Sequence, residues 1–262
     1  MDDLDLDTIE RLRRTAVRDL RMAGETVDED TLGDAGRRGP GPSRLAAACL
    51  LVLSTGAYAQ QDRRQNAPGE FDFYVLSLSW SPSFCEAARE RGNTGRSQQA
   101  QCGGRPFSFV VHGLWPQYER GFPDYCERPS PRLPRNIMTS MLDLMPAPGL
   151  IYNEWDKHGT CSGLGPRGYF ETIRKARAAV KIPPEYLELS SAKAVAPLEI
   201  EEAFIKANPG LSNSAFAVIC DSKRLSEVRI CMTKDLQFRA CEEIDRRACR
   251  RDKVVMPPVR GG

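Results

Sequence analysis

The sequence predicts an α+β fold, a single domain with a central, mostly antiparallel sheet flanked by helices and linked by disulfides. Three observations lead there. Beyond residue 70, segments of strand character sit towards both ends and segments of helical spacing lie between them, without strict alternation of strand and helix. No glycine-rich phosphate loop follows a strand, which argues against a doubly wound nucleotide-binding sheet. Eight cysteines follow residue 59, an even count that suits a disulfide framework.

Taken in order, residues 1–43 form an N-terminal extension. Leu4, Leu6, Ile9, Leu12, Val17 and Leu20 make an amphipathic pattern, and Gly36 to Pro42 is rich in Gly and Pro. A start codon assigned too far upstream accounts for the extension, and a disordered extension is the alternative. Residues 44–59 are expected to be a signal peptide. Arg37, Arg38 and Arg44 precede the apolar run from Leu45 to Leu53, and Ala57-Tyr58-Ala59 supplies an A-x-A site with cleavage before Gln60. The run falls short of the about 20 apolar residues that a bilayer span needs. The mature chain is then 60–262, with a folded core from about 68 to 257. Strands are expected over Phe71–Ser79, Phe107–Val111, Ala215–Cys220, Glu227–Met232 and Leu236–Ala240, and helices over Arg135–Met145, Tyr169–Val180 and Leu198–Ala207.

Composition bounds the function. With 262 residues, 41% hydrophobic, 21 Gly and 19 Pro, the chain is neither collagen-like, wholly disordered nor a multi-span membrane protein. Residues 1–59 hold 8 basic and 11 acidic side chains against 29 and 24 in residues 60–262, a net of +5 on the latter. That is a mild attraction for a polyanion, too weak to argue for nucleic acid alone. Loss of the signal removes Cys49 and leaves Cys85, Cys102, Cys126, Cys161, Cys220, Cys231, Cys241 and Cys249, read as four disulfides in an oxidising compartment. No C-x-x-C pair or histidine cluster offers zinc spacing, so no metal site is expected.

The two histidines carry the chemistry. His112 ends an apolar strand in Phe109-Val-Val-His-Gly-Leu-Trp-Pro116, where Gly113 is read as a turn, and His158 lies in Asn153-Glu-Trp-Asp-Lys-His-Gly-Thr-Cys161. Either one alone is more often structural. If the second segment is helical, Glu154, Lys157 and His158 share one face, and Gly159 ends it. The bland reading of that face is a surface charge cluster. Its chemistry suits phosphoryl transfer: Lys157 neutralises phosphate charge, His158 exchanges a proton, and Glu154 orients the His158 imidazole or, protonated, donates to a phosphate oxygen. On this reading Glu154 raises and Lys157 lowers the pKa of His158. If His112 faces the same point, one imidazole can remove the 2′-hydroxyl proton of RNA while the other protonates the departing 5′-oxygen. DNA lacks the 2′-hydroxyl and would be inert. Metal-dependent cleavage would need grouped carboxylates, and Glu70 and Asp72, the nearby pair, are read as solvated.

His112-Gly-Leu-Trp-Pro116 and Glu154-Trp-Asp-Lys-His-Gly-Thr-Cys161 resemble the two active-site segments of the ribonuclease T2 family. Phe73-Tyr-Val-Leu-Ser-Leu-Ser-Trp-Ser-Pro82 and Glu227-Val-Arg-Ile-Cys-Met232, with a cysteine ten residues after Cys231, extend the resemblance over most of residues 71–249. It implies a secreted or periplasmic α+β endoribonuclease, acting on single-stranded RNA with low base specificity and no cofactor, and working as a monomer off the membrane. Residue by residue it makes His112, Glu154, Lys157 and His158 catalytic, with His158 the base, His112 the acid and these two labels exchangeable. Many members carry a histidine where this chain has Asn153, which puts phosphate binding in doubt more than proton transfer. Trp115 resembles the family's stacking residue and Gln117 stands where some members contact a base, so Trp115, Gln117 and Asn153 form the expected substrate-binding set. Tyr118 and Tyr125 are in reserve, and Arg246, Arg247, Arg250 and Arg251 read as a solvated face. The resemblance best supports Cys126 with Cys161. Cys85 with Cys102 is then local, and among the last four Cys231 with Cys241 and Cys220 with Cys249 are preferred. Two other classes of function remain: an inactive RNA-binding or storage protein on the same fold, and a zinc module using His112, His158 and Cys161.

Overall fold

The computed structural model describes residues 66–92 and 95–259, and the extension, the signal segment and Cys49 lie outside them. Its centre is β1 (Phe73–Trp80), an apolar strand buried on both faces. Side chains alternate across a strand, so Tyr74, Leu76, Leu78 and Trp80 enter one cluster while Phe73 and Val75 enter another. Around β1 the order is β2 (Phe109–Gln117), β1, β5 (Leu225–Met232), β4 (Phe216–Cys220), and every pairing is antiparallel. The described residues thus form the expected α+β domain. β3 (Lys193–Val195) and β6 (Val254–Met256) make a separate two-stranded sheet.

One face of the large sheet carries the main core. α4 (Pro148–Lys157) contributes Ile151 and Trp155, α5 (Gly165–Ala179) contributes Tyr169, Phe170, Ile173 and Ala176, and α6 (Pro197–Ala207) contributes Ile200 and Phe204. Their spacing of three and four residues is that of an amphipathic helix with one apolar stripe. The opposite face has the smaller cluster of Phe73, Val75, Ala217, Cys231, Cys241 and Ile244. That cluster leaves part of the second face open, and the cleft described below occupies it.

Several elements differ from the sequence expectation for identifiable reasons. β2 does not stop at Val111 but runs on to Gln117, through Pro116. It is an edge strand, where a residue without an N–H is tolerated. The helix expected over Arg135–Met145 ends after α3 (Arg135–Ser140), because the chain turns and the Leu144 carbonyl accepts the Val111 N–H at 2.9 Å. Leu236–Ala240 is not a strand. Leu236 sits in a turn at φ 61° and only a Met232–Phe238 bridge forms. α1 (Ser81–Glu90) and α2 (Arg96–Cys102) lie outside the expected helices; Pro82 in the first turn pre-sets α1.

Among the described residues four disulfides are formed: Cys85–Cys102, Cys126–Cys161, Cys220–Cys249 and Cys231–Cys241. Cys161 is therefore not a thiolate, and the zinc reading loses a ligand. The Cys126–Cys161 bond holds the 3-10 turn Gly159–Ser162 that follows α4. Gly159 is not the left-handed helix end that the sequence suggested; the left-handed residue is Gly163, at φ 71°. Gly159 is required for another reason, since a Cβ there would run into the rings of Trp155 and Tyr169. Gly159→Ala is expected to destabilise the domain by about 1 to 3 kcal/mol, the usual range for overpacking a dense core. Urea unfolding with unchanged stability would show that the aromatic pair can yield.

Candidate active site

The strand β2 presents His112 through a register irregularity. Ser77 pairs with Gly113 and Leu78 with Val111, so His112 is the extra residue of a bulge. A bulge re-aims the side chain it carries, and here the imidazole turns towards β5 and α4. Its Nδ1 lies 3.0 Å from Glu227 Oε2 and its Nε2 lies 3.7 Å from Glu154 Oε1. Glu227 in turn accepts from Arg229 Nε at 2.8 Å and pairs with its terminal nitrogen at 2.6 Å. Glu227 and Arg229 are two residues apart on β5 and face the same side of the sheet.

α4 brings the second set. Glu154 is 2% exposed and its Oε2 accepts the Trp115 indole N–H at 2.7 Å. Gly113 makes this contact possible, because a Cβ on it would collide with the Glu154 carboxylate and the indole nitrogen. His158 caps the C-terminus of α4, its N–H bonded to the Glu154 carbonyl at 3.0 Å. The His158 ring lies 5.5 Å from the Trp115 ring and 6.3 Å from that of Phe122. Its Nδ1 is sealed without a hydrogen-bond partner among the described residues, so proton exchange with the cleft must pass through Nε2. Lys157 Nζ lies 5.7 Å from the Phe122 ring centroid.

These side chains border one cleft of about 280 Å³. His112, Trp115, Gln117, Asn153, Glu154, Lys157 and His158 all line it, joined by Phe122, Arg229, Ile244 and Arg247. Every residue of the expected catalytic and substrate-binding sets therefore faces the same space. Gln117 is largely buried, with its amide N–H donated to the Pro116 carbonyl at 2.8 Å, whereas Asn153 is exposed. The reserve residues Tyr118 and Tyr125 do not line it. Of the basic cluster, Arg246 is exposed and paired with Glu242, while Arg247 reaches the cleft as well as Glu243.

Sequence reasoning missed Glu227, Arg229 and Phe122. The first two had a signal, since they are the charged residues at alternate positions of an otherwise apolar strand, Leu225-Ser-Glu-Val-Arg-Ile-Cys-Met232. Phe122 had none, because it lies in an irregular loop and is 42% exposed.

The two imidazoles are tuned in opposite directions. Burial pulls the His112 pKa down, but the Glu227 hydrogen bond and the charges of Glu227 and Glu154 outweigh it, and the net shift is upward. Burial, helped by the charges of Lys157 and His112, drives His158 down to about 3. The Glu154 carboxyl therefore does not raise the pKa of His158, as the sequence reading had it; it is directed at Trp115 and His112 instead. Burial also lifts Glu154 to about 7. Glu227 is buried too, yet the His112 and Arg229 contacts bring it to about 2. Such separation of neighbouring titratable groups is how a site assigns acid and base.

A family model described as the ribonuclease T2 family matches residues 71–241. A probable ribonuclease of Haemophilus influenzae is 34% identical over 186 residues, 68% of this chain and 64% of that protein, so the chain spans less than two thirds of that relative. A ribonuclease of Aeromonas hydrophila is 34% identical over 71% of this chain and 83% of its own length, and ribonuclease I of Escherichia coli is 27% identical over 73% and 85%. Among solved structures, an RNase-related protein from Calystegia sepium superposes with a TM-score of 0.59 at 24% identity, covering 73% of this chain and 99% of that one, a likeness of fold. The class to which the matched family and these relatives point is ribonuclease. The chain belongs to the ribonuclease T2 family.

The depressed His158 pKa sets a stability test. The unfolded chain takes up this proton near 6.5, the ordinary value for histidine, and the folded chain not until about 3. Stability is thus lost as pH falls through that window, by up to about 1.4 kcal/mol per pH unit from this residue. Urea unfolding at pH 7, 5 and 4 is expected to show a weaker acid decline in His158→Gln than in the parent, and parallel declines would contradict the burial argument.

Proposed function

We propose that this protein cleaves single-stranded RNA by transphosphorylation to 2′,3′-cyclic phosphates, followed by slower hydrolysis to 3′-phosphates, with low base specificity and without a metal ion. The observation that carries this reading is the opposed tuning of two imidazoles on one cleft, His112 upward and His158 downward. At neutral pH His158 is an unprotonated base. His158 Nε2 takes the proton of the 2′-hydroxyl as that oxygen bonds to phosphorus. His112 Nε2 gives its proton to the 5′-oxygen as the P–O5′ bond breaks. The roles exchange when water opens the cyclic ester. The entering phosphate brings negative charge beside His158, which favours the protonated form and raises a basicity that is low in the empty cleft.

Lys157 and Glu154 act on the phosphorane. Lys157 offers a positive charge at the cleft. With a pKa of about 7, Glu154 is protonated in part of the population near neutrality and then donates to a phosphate oxygen. Its Oε2 already accepts from Trp115, which leaves Oε1 for that role. Trp115, Gln117 and Asn153 are the proposed substrate-binding set. Trp115 is half-buried, with the Arg229 guanidinium 5.1 Å from its ring centroid, and the exposed Phe122 adds an aromatic face on which a base can stack without regard to its identity. Asn153 can hydrogen-bond phosphate but brings no charge. Four disulfides suit an exported, oxidising setting, and we place the protein in the periplasm or outside the cell, as a monomer. Among the described residues no helix is long and apolar enough to cross a membrane.

Digestion of single-stranded RNA in excess EDTA tests the reading, with products resolved by mass. Cyclic phosphates are expected from the parent. His158→Ala and His112→Ala should each lose about 100-fold or more, and the matching DNA should survive. An absence of cleavage by the oxidised, folded protein between pH 4 and 8 would leave RNA binding without turnover. The pH profile of kcat/KM is expected to fall at alkaline pH as His112 loses its proton, with no acid limb from His158 until about pH 3.

A further inference from the structure

We propose that Glu227, clamped by Arg229, is the positioning residue that makes His112 the general acid, holding its Nδ1–H and aiming Nε2 at the departing 5′-oxygen. The inference rests on the acid role proposed for His112. Glu227 is 7% exposed, and its carboxylate is divided between two partners: Oε2 lies 3.0 Å from His112 Nδ1, and Oε1 lies 2.8 and 2.6 Å from Arg229. An imidazole whose Nδ1–H is held by a carboxylate has one orientation and one free nitrogen. For His112 the free nitrogen is Nε2, 3.7 Å from Glu154 Oε1 and turned into the cleft where His158 also stands.

Phe109 and Val111 turn into the main core, so His112 falls on the opposite face of the sheet, the one on which β5 presents Glu227 and Arg229, and the bulge adds the extra residue before Leu114 returns to the core. Arg229 also limits the effect of Glu227. Buried alone, the carboxylate would be uncompensated whenever His112 gave up its proton; with Arg229 beside it, Glu227 stays ionised through the cycle. His112 can then release its proton to the substrate without passing it back to Glu227. The proton lost from Nε2 is restored in the hydrolytic step, when His112 draws one from water.

The charged groups around His112 are Glu227 and Arg229 from β5, Glu154 from α4, and Lys157, His158 and Arg247 around the cleft. Of these, Glu227 and Arg229 push its proton affinity in opposite directions, which gives two variants with opposite readouts. Removal of the carboxylate in Glu227→Gln is expected to move the alkaline limb of kcat/KM to lower pH, and removal of the guanidinium in Arg229→Gln to higher pH. Glu154 titrates in the same region but is present in both, so it cannot produce opposite movements.

Leaving-group chemistry supplies the test that a merely structural role would not pass. The parent, Glu227→Gln, Glu227→Asp, Arg229→Gln and His112→Ala are assayed on a dinucleoside monophosphate and on a nucleoside 3′-(4-nitrophenyl phosphate), whose phenolate departs without a proton. Glu227→Gln should lose about 10- to 100-fold in kcat on the first substrate, with KM little changed. On the aryl ester it should stay within about 3-fold of the parent, and Glu227→Asp should recover much of the loss. Equal losses on both substrates, or an unmoved alkaline limb, would overturn the proposal. If His112→Ala itself lost both substrates equally, the acid assignment beneath it would fall. Leaving-group dependence in His112→Ala without it in Glu227→Gln would overturn the role of Glu227 alone. Should Glu227→Gln not fold, the Glu227→Asp and Arg229→Gln profiles decide: an alkaline limb that Arg229→Gln leaves in place overturns the proposal, and one that it moves upward supports it.

Discussion

The site depends on one buried contact, the Glu154 carboxylate held by the Trp115 indole N–H over the bare backbone of Gly113. It joins the edge strand β2 to the helix α4, and so joins the two segments that carry the histidines. A carboxyl group 2% exposed is costly to bury unless it is hydrogen-bonded, and the indole supplies the bond. The spacing His112-Gly113-Leu114-Trp115 follows from this geometry. The bulge turns His112 towards the carboxylate, Gly113 removes the Cβ that would block it, and Trp115 returns with the donor.

Around that contact the protein builds unequal surroundings for two chemically identical rings. His158, at the end of a helix packed into the core, has Lys157 beside it and no carboxylate hydrogen-bonded to its ring, so desolvation dominates and the ring stays neutral. His112 lies on the edge strand between two carboxylates, its side chain 37% exposed where His158 is 6% exposed, and their charge outweighs its desolvation. The difference is one of neighbours and of depth together. It is also shared between elements far apart in the chain, since Glu154 and Glu227 lie on opposite sides of His112 in space and 73 residues apart in number.

The second sheet face explains why such a cleft persists in a densely packed domain. The main core takes the aromatic and aliphatic stripes of α4, α5 and α6, whereas the other face receives only a small cluster closed by Ile244 and the Cys231–Cys241 bond. Polar groups that the large core would exclude, Glu227 and Arg229 among them, sit on this face and satisfy one another. The cleft is thus the part of the sheet that no helix stripe covers.

What the sequence determined by itself was local. Alternation over Phe71–Ser79 specified the central strand, which the structure places at Phe73–Trp80, and spacing specified the helices that carry Tyr169 to Ala176 and Ile200 to Phe204, because one buried face imposes its period on neighbouring residues. The two motifs named His112, Trp115, Glu154, Lys157 and His158 of the cleft, and Gly113, Trp115 and Glu154 must be these types if their contacts are to fit. The tertiary structure decided the rest. It sent the Glu154 carboxyl to Trp115 and His112 and away from His158, ran β2 past its glycine, ended α3 early by taking the Leu144 carbonyl for Val111, and brought Glu227 to His112 from 115 residues away. Each of these is a contact between distant segments, and side-chain direction and proton affinity depend on what finally packs nearby, which no local periodicity encodes.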